Sequence, residues 1–364
     1  MALLSHNPFA APGRSVVPQL SLEETFARLH ARLDDLSARE EFSGSILIAQ
    51  GGRIRFVKHC GLADFDAKVA LSSHSSFSIA SVTKPFTALG IMLLAREGTL
   101  TLDDRLGQYI PELPAYGAIT IRQLLHHTSG IPDHVELAED YWDPKLLLKM
   151  ADLIELFRRH RPRPAFPPGE QFEYSNTGYA FLGEIIARVS KSTYPQFMTE
   201  RVFRPLGMHD TAAFNLSSKE CPLRERVIGF SRRFGRIVRR DLNFLDGVFG
   251  DGGIYASAED LFRWDCGLRA GTLMPREAYR EAETSGRLNS GAPVGYGFGW
   301  EIEGANVVGH WGEWEGFSAL VRRDLAHETL LVVLSNLGPC DRVARLCGDL
   351  NALIAQIDWS AATN

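Results

Sequence analysis

The sequence predicts an α/β fold in which one sheet is assembled from both ends of the chain around a mainly helical insertion. Three observations carry this reading. Strand-like runs lie near the start of the chain and again beyond Tyr296, while the stretch from about Thr101 to Ser218 is dominated by helix-start signals. The pair Gly51-Gly52, set between two apolar runs, is a hairpin signature that opens the sheet.

The elements follow in order. Residues 1–20 are polar, contain proline and read as a poorly ordered leader. Ser21 to Arg39 reads as an amphipathic helix with Leu22, Phe26, Leu29 and Leu33 on one stripe, and Ser21 with Glu24 forms a capping box. Gly44 to Gln50 and Arg53 to His59 are the hairpin strands. A helix then starts near Ser81, because Pro85 is tolerated only in a first helical turn. It is apolar on nearly every side (Phe86, Leu89, Ile91, Met92, Leu93, Leu94) and stops at Gly98, so it is expected to be buried. Further helix starts fall at Asp103, Thr120, Ser175, Thr193 and Ser257. Strands return at Phe298–Ile302, Ala305–His310, Phe317–Arg323 and Glu328–Asn336, and Asp341 to Ile357 is helical. These spans divide the chain into a sheet domain of residues 21–100 and 245–364 and a mainly helical domain of residues 101–244.

The 364 residues, 45% hydrophobic and 23% charged, are long enough for one large domain or two intertwined ones. A formal net charge of −5 gives no reason to expect nucleic acid or an anionic membrane as partner. The basic runs at Arg158–Arg161 and Arg232–Arg236 read as solvated surface. The first twenty residues have neither a basic n-region nor an adequate apolar run, so no signal peptide is expected, and no stretch is apolar enough to span a bilayer. Five cysteines (Cys60, Cys221, Cys266, Cys340, Cys347) show no metal or redox spacing and fit free thiols in a reducing compartment, with the cytoplasm as default. His126, His127, Asp133 and His134 lack the H-E-x-x-H spacing, so no metal and no cofactor are expected.

Chemistry enters at Ser81-Val82-Thr83-Lys84. A helix start brings residues i and i+3 onto one face, so the Lys84 amine comes within reach of the Ser81 hydroxyl, beside the positive helix terminus. By itself such a spacing often marks an exposed helix start. Here the helix is apolar, and an unpaired buried ammonium is costly, which argues against a solvated face. Tyr174-Ser175-Asn176, directly before another helix, offers a phenol and an amide to one pocket; equally, Ser175 is an N-cap with an aromatic neighbour. His310 lies between two strand signals in Gly309-His310-Trp311-Gly312-Glu313-Trp314, where a lone histidine is commonly structural.

The three elements together, in this order, resemble the serine β-lactamase and penicillin-binding protein superfamily, which carries S-x-x-K, Y-x-N and K-T-G or H-x-G. Leu124-LHHTSGIP, Pro168-GEQFEYSNTGY, Gly250-DGGIYASAEDLFRW and Tyr296-GFGW also look familial, and the resemblance runs from about Gly44 to Asn336. The Y-x-N form is similar to the class C β-lactamase branch, with its D-alanyl-D-alanine carboxypeptidase, D-aminopeptidase and esterase relatives. It implies an α+β fold: an antiparallel sheet of about five strands flanked by helices, with the active site where sheet and helical domains meet.

The resemblance further implies a Ser81 nucleophile that forms an acyl-enzyme, with Lys84 or Tyr174 as base. Asn176 would hold the substrate carbonyl side or the Lys84 ammonium. The backbone amides of Ser81 and Glu313 would form the oxyanion hole, with Gly312 allowing close approach and His310 and Trp311 beside the substrate. Trp311, Trp314, Tyr296 and Trp300 are aromatic candidates for the acyl pocket, where single aromatics are equally commonly core side chains, and the hairpin-like segment Gly229–Asn243 is a candidate for its rim. His310 departs from the K-T-G lysine and is mostly neutral at pH 7, so a carboxylate-ended substrate loses its cation. The expectation is a serine hydrolase for a small ester, amide or short peptide, with weak or no β-lactamase activity. Acyl transfer and a non-catalytic protein that kept the fold stay open as alternatives. Oligomeric state is not legible.

Overall fold

The computed structural model describes residues 21–339 and 341–357. The leader at 1–20 and Cys340 therefore lie outside the described residues. The sheet has six strands: β1 (Gly44–Gln50), β2 (Arg53–Cys60), β3 (Glu301–Ile302), β4 (Val307–Trp314), β5 (Phe317–Asp324) and β6 (Thr329–Ser335). Their spatial order is β3-β4-β5-β6-β1-β2, antiparallel throughout. The join between the two ends of the chain is the β1–β6 ladder, in register from Gly44 opposite Ser335 to Gln50 opposite Thr329.

Side chains alternate across a strand, so each apolar run feeds two cores. Leu47, Val321, Val332 and Leu334 point to one face, where Phe86, Leu89 and Trp264 meet them. Ile46, Ile48, Leu320, Leu331 and Val333 point to the other, onto Leu29 and Leu33 of α1 (Leu22–Ala38) and Val343, Leu346 and Leu350 of α5 (Asp341–Gln356). Because both faces of β6 are covered, its seven residues are all buried.

On the first face lie α2 (Thr83–Arg96) and α4 (Ala258–Ala270), with α3 (Asn176–Ser190) packed on α2. Phe86 stacks on Trp264 at 4.0 Å, which locks α2 against α4. The helical region joins the same core through Leu124, Leu125, Phe157 and Phe181.

Caps at Ser21, Thr120, Ser175, Thr193 and Ser257 start their helices as the sequence predicts. Two expectations need correction. No helix starts at Asp103: the Asp104 carboxylate accepts the Thr101 N–H at 2.8 Å and holds a turn, and the helix begins after Arg105. Only Glu301 and Ile302 of Phe298–Ile302 pair as a strand, because Gly299, at φ +75°, brings the chain against α2. A Cβ there would lie 2.5 Å from the Pro85 nitrogen. Cys60, Cys221 and Cys266 carry free thiols. Among the described residues no helix is long and apolar enough to cross a membrane.

Candidate active site

Ser81 sits in a 3₁₀ turn, Ala80–Val82, that runs directly into α2. In such a turn i and i+3 nearly eclipse, which stacks Lys84 under Ser81. Ala80 holds φ +46°, a left-handed conformation that costs an L-residue of its type about 1–3 kcal/mol and recurs at functional turns. Ser81 keeps part of its surface open, while Lys84 is wholly buried.

The Lys84 Nζ donates to three oxygens: Ser81 Oγ at 3.0 Å, Asn176 Oδ1 at 2.9 Å and the Asp251 carbonyl at 3.0 Å. The Tyr174 ring lies 4.7 Å beneath it. Burial pushes the Lys84 ammonium down to about 8, against the opposing pull of Asp251 and then Asp133.

Each partner is fixed by its own element. Ser175 caps α3 and donates its hydroxyl to the Ile131 carbonyl at 3.1 Å, and the Asn176 N–H donates to Asp133 Oδ2 at 2.7 Å. Ser175 is thus the N-cap, and by capping it aims Tyr174 and Asn176 at Lys84. The 250–254 loop is tied along α2 by Thr87 Oγ1 donating to the Gly250 carbonyl at 2.6 Å and by the Ile254 N–H donating to Thr83 Oγ1 at 3.3 Å. Asp251 presents its carbonyl to Lys84 between these ties.

Tyr174 keeps part of its ring surface open, yet burial of its hydroxyl drives its pKa well above 10, and the Ser81 hydroxyl beside it opposes this only in part. It is a phenol at neutral pH. His310 is 1% exposed. Its Nδ1–H donates to the Trp311 carbonyl at 2.6 Å, which leaves Nε2 as an acceptor, 2.9 Å from the Tyr296 hydroxyl. Burial, then the Lys84 charge, pushes the imidazole down to about 3.

Gly312 touches the serine turn directly: a Cβ there would lie 2.9 Å from the Ser81 nitrogen and 2.6 Å from the Ile79 oxygen. The Trp311 amide faces the Glu301 carboxylate and opposes the rise of its pKa. Alternate residues of a strand send their amides to the same edge, so the Glu313 N–H also leaves β4 on the side away from β5.

The expected pocket aromatics separate. Trp311 points to the opposite face of the sheet and packs on the α1/α5 core, since β4 alternates and His310 faces the site. Trp300 is stacked on Trp264 at 5.4 Å inside the main core, and Trp314 donates to Asp246 Oδ1 at 2.9 Å. Tyr296 alone of the four reaches the cluster, through His310. The hairpin within Gly229–Asn243 abuts the β4–β5 turn, where Asn243 Nδ2 donates to Glu315 Oε1 at 2.6 Å.

Asp251 and Glu301 were not foreseen, and Asp133 and His127 were considered only as metal ligands and not in this role. His127 accepts the Ser175 N–H on Nδ1 at 3.1 Å and lies 4.4 Å from the Tyr174 ring. Burial raises the Glu301 carboxyl to about 7. Its signal was a charged residue within a segment read as a strand. The histidines weighed as metal ligands are engaged separately: His126 Nδ1 with the Tyr296 carbonyl at 3.1 Å, and His134 Nδ1 with Thr177 Oγ1 at 3.4 Å.

A mixed α/β fold that carries a serine turn and a buried lysine beside a Tyr-x-Asn loop defines a serine hydrolase of the β-lactamase-like superfamily. The β-lactamase family model matches residues 29–356, and the chain belongs to that family. Penicillin-binding protein 4* of Bacillus subtilis (strain 168) is 32% identical over 325 residues, which cover 85% of this chain and 71% of that protein. The crystal structure of a penicillin-binding protein from Bacillus halodurans is 26% identical, covers 87% of this chain and 97% of its own, and has a TM-score of 0.73. The D-amino acid amidase of Ochrobactrum anthropi SV3, complexed with L-phenylalanine amide, is 25% identical, covers 93% of this chain and 99% of its own, and has a TM-score of 0.72.

Proposed function

We propose that the protein hydrolyses a small ester, or the amide or peptide bond of a D-amino acid, through an acyl-enzyme on Ser81, with little or no β-lactamase activity. The observation that carries this reading is the Lys84 Nζ, buried and 3.0 Å from Ser81 Oγ. Its other two partners, an amide oxygen and a backbone carbonyl, can only accept. A neutral Lys84 must then turn its lone pair to Ser81, whose hydroxyl is the one partner able to donate. Lys84 is thus the base, and Tyr174 the phenol that returns a proton to the leaving group.

The Ser81 and Glu313 amides are the oxyanion donors in this reading, favoured by the contact of Gly312 with the serine turn and by the shared edge of β4. Asn176 holds Lys84. His310 separates the substrate classes. Both of its ring nitrogens are spent inside the protein and the ring stays neutral, so it offers no cation to a carboxylate-ended substrate. The likeness to a D-amino acid amidase supports a small amide as one substrate class.

A fluorophosphonate probe together with p-nitrophenyl esters, D-amino-acid anilides and nitrocefin tests this. Labelling and turnover of esters or anilides should vanish in Ser81→Ala. Equal labelling of Ser81→Ala would sink the nucleophile, and nitrocefin turnover well above that of the esters would reverse the substrate ranking.

A further inference from the structure

The sheet edge beside Ser81 carries a carboxylate that the acyl-enzyme chemistry leaves unused. Glu301 leaves β3 opposite Gly309, and the Trp311 amide faces its carboxylate. The Trp311 and Glu313 amides lie on the same edge of β4, two residues and so about 7 Å apart. The Glu301 charge also reaches the hydroxyls of Tyr174 and Tyr296. It therefore stands at the border of the Ser81 cluster. Glu301 keeps part of its surface open, and among the described residues no lysine, arginine or histidine forms an ion pair with it. Its neighbour shows the contrast: Arg322 Nε donates to Glu303 Oε2 at 2.9 Å. The Lys84 ammonium, in turn, is answered by Asp251 and Asp133.

A carboxylate that has lost much of its water and gained no counter-ion is destabilising, and a cation brought by the substrate would remove that penalty. The rest of the site fits a cation. His310, the ring that faces Ser81 from β4, is neutral and has both nitrogens engaged, so nothing there competes by attracting an anion. Aromatic surface adjoins as well: Phe172 is 40% exposed although its ring lies 6.1 Å from that of Tyr296. Resting on the assignment of Ser81 as nucleophile, we propose that Glu301 selects the substrate by binding a primary ammonium group. Amino-acid amides and esters with a free amino group are then preferred over neutral and carboxylate-ended ones.

Phenethylammonium and 2-phenylethanol, which differ in charge and little in shape, test this by calorimetric titration into the full chain at constant ionic strength. At about pH 8 the Glu301 carboxyl, raised to about 7, is mostly ionised. The expected result is an affinity for the ammonium about tenfold above that for the alcohol, a gap that closes to about twofold in Glu301→Gln. Glutamine keeps an oxygen toward the Trp311 amide, and unchanged binding of the alcohol reports an intact site. Glu303→Gln, the control for the general negative field, should keep the gap. With D-phenylalanine p-nitroanilide, Glu301→Gln should raise KM about tenfold with kcat little changed, and leave the N-acetyl anilide unaffected. No preference for the ammonium in the wild type, a gap that survives Glu301→Gln, or one that closes equally in Glu303→Gln overturns the proposal. The titrations need no turnover, so a failure of the Ser81 chemistry shows separately, as loss of hydrolysis with the ammonium preference intact.

Discussion

Lys84 meets Ser81 with Nζ 3.0 Å from Oγ, and the geometry around that nitrogen leaves Ser81 as its one possible hydrogen donor. The amine must lose a proton before it can act. With its pKa lowered to about 8, roughly a tenth of the molecules carry the neutral amine at pH 7, against a few in ten thousand for an unshifted lysine. We therefore expect kcat/KM to rise about tenfold per pH unit below pH 8 and to level off above it, measured on a neutral ester between pH 6 and 10. A profile that keeps climbing toward pH 10 would assign the base to a group with an unshifted pKa.

Asp251 sets that midpoint from the other direction. Its carbonyl bonds Lys84, while its carboxylate is the largest influence holding the ammonium in its charged form. Asp251→Asn keeps the backbone bond and removes the charge, so the Lys84 pKa falls and the activity profile moves toward acid, by roughly a few tenths to one unit. At pH 7 the variant gains neutral amine. A midpoint that moves to alkali, or stays fixed, would show that the carboxylate does not act on Lys84.

The sequence disclosed the parts of this site that are contiguous in the chain. Ser81 with Lys84 and Tyr174 with Asn176 are pairs whose spacing already fixes a shared face, so one helix turn or one capped loop suffices to aim them. Asp251 escaped because it contributes a backbone carbonyl, which carries no residue signature. Asp133 and His127 act through amides at the start of α3, across contacts more than forty residues long. Trp311 is different: the period of a strand already opposes it to His310, and that parity was there to be read. In the fold, the apolar runs of β1 and β6 and the caps of the helices were legible. The shortened strand at Glu301 was not, since Gly299 is drawn out of the sheet by its contact with Pro85 in a helix two hundred residues earlier.

Tyr174 and Lys84 can be separated experimentally. Tyr174 is held neutral by its surroundings and cannot serve as a phenolate near pH 7, so its loss should leave Ser81 activation intact. Tyr174→Phe is expected to retain labelling by a fluorophosphonate and a pH midpoint near 8, the value set by Lys84. Turnover of an amide with a poor leaving group should drop by about 10²–10³, and that of an activated ester by much less, because only the former needs a proton at the leaving atom. Equal losses on both substrates would mean that Tyr174 shapes the site and does not donate a proton.

Gly312 joins the sheet to the serine turn, and its missing side chain is what permits the contact. In Gly312→Ala the new methyl would stand 2.6 Å from the Ile79 oxygen and 2.9 Å from the Ser81 nitrogen, both backbone atoms that cannot swing aside. Strand β4 or the turn must retreat, which moves the Glu313 amide away from Ser81. Overpacking of this kind costs about 1–3 kcal/mol of stability, and misplacing one oxyanion donor costs about 10²–10³ in kcat. Gly304→Ala serves as the control, since a Cβ there meets nothing within 4 Å. The expected outcome is a lower melting temperature with a loss of kcat of at least 10²-fold for Gly312→Ala and neither change for Gly304→Ala. A fully active Gly312→Ala enzyme would show that the strand edge takes no part in stabilising the oxyanion.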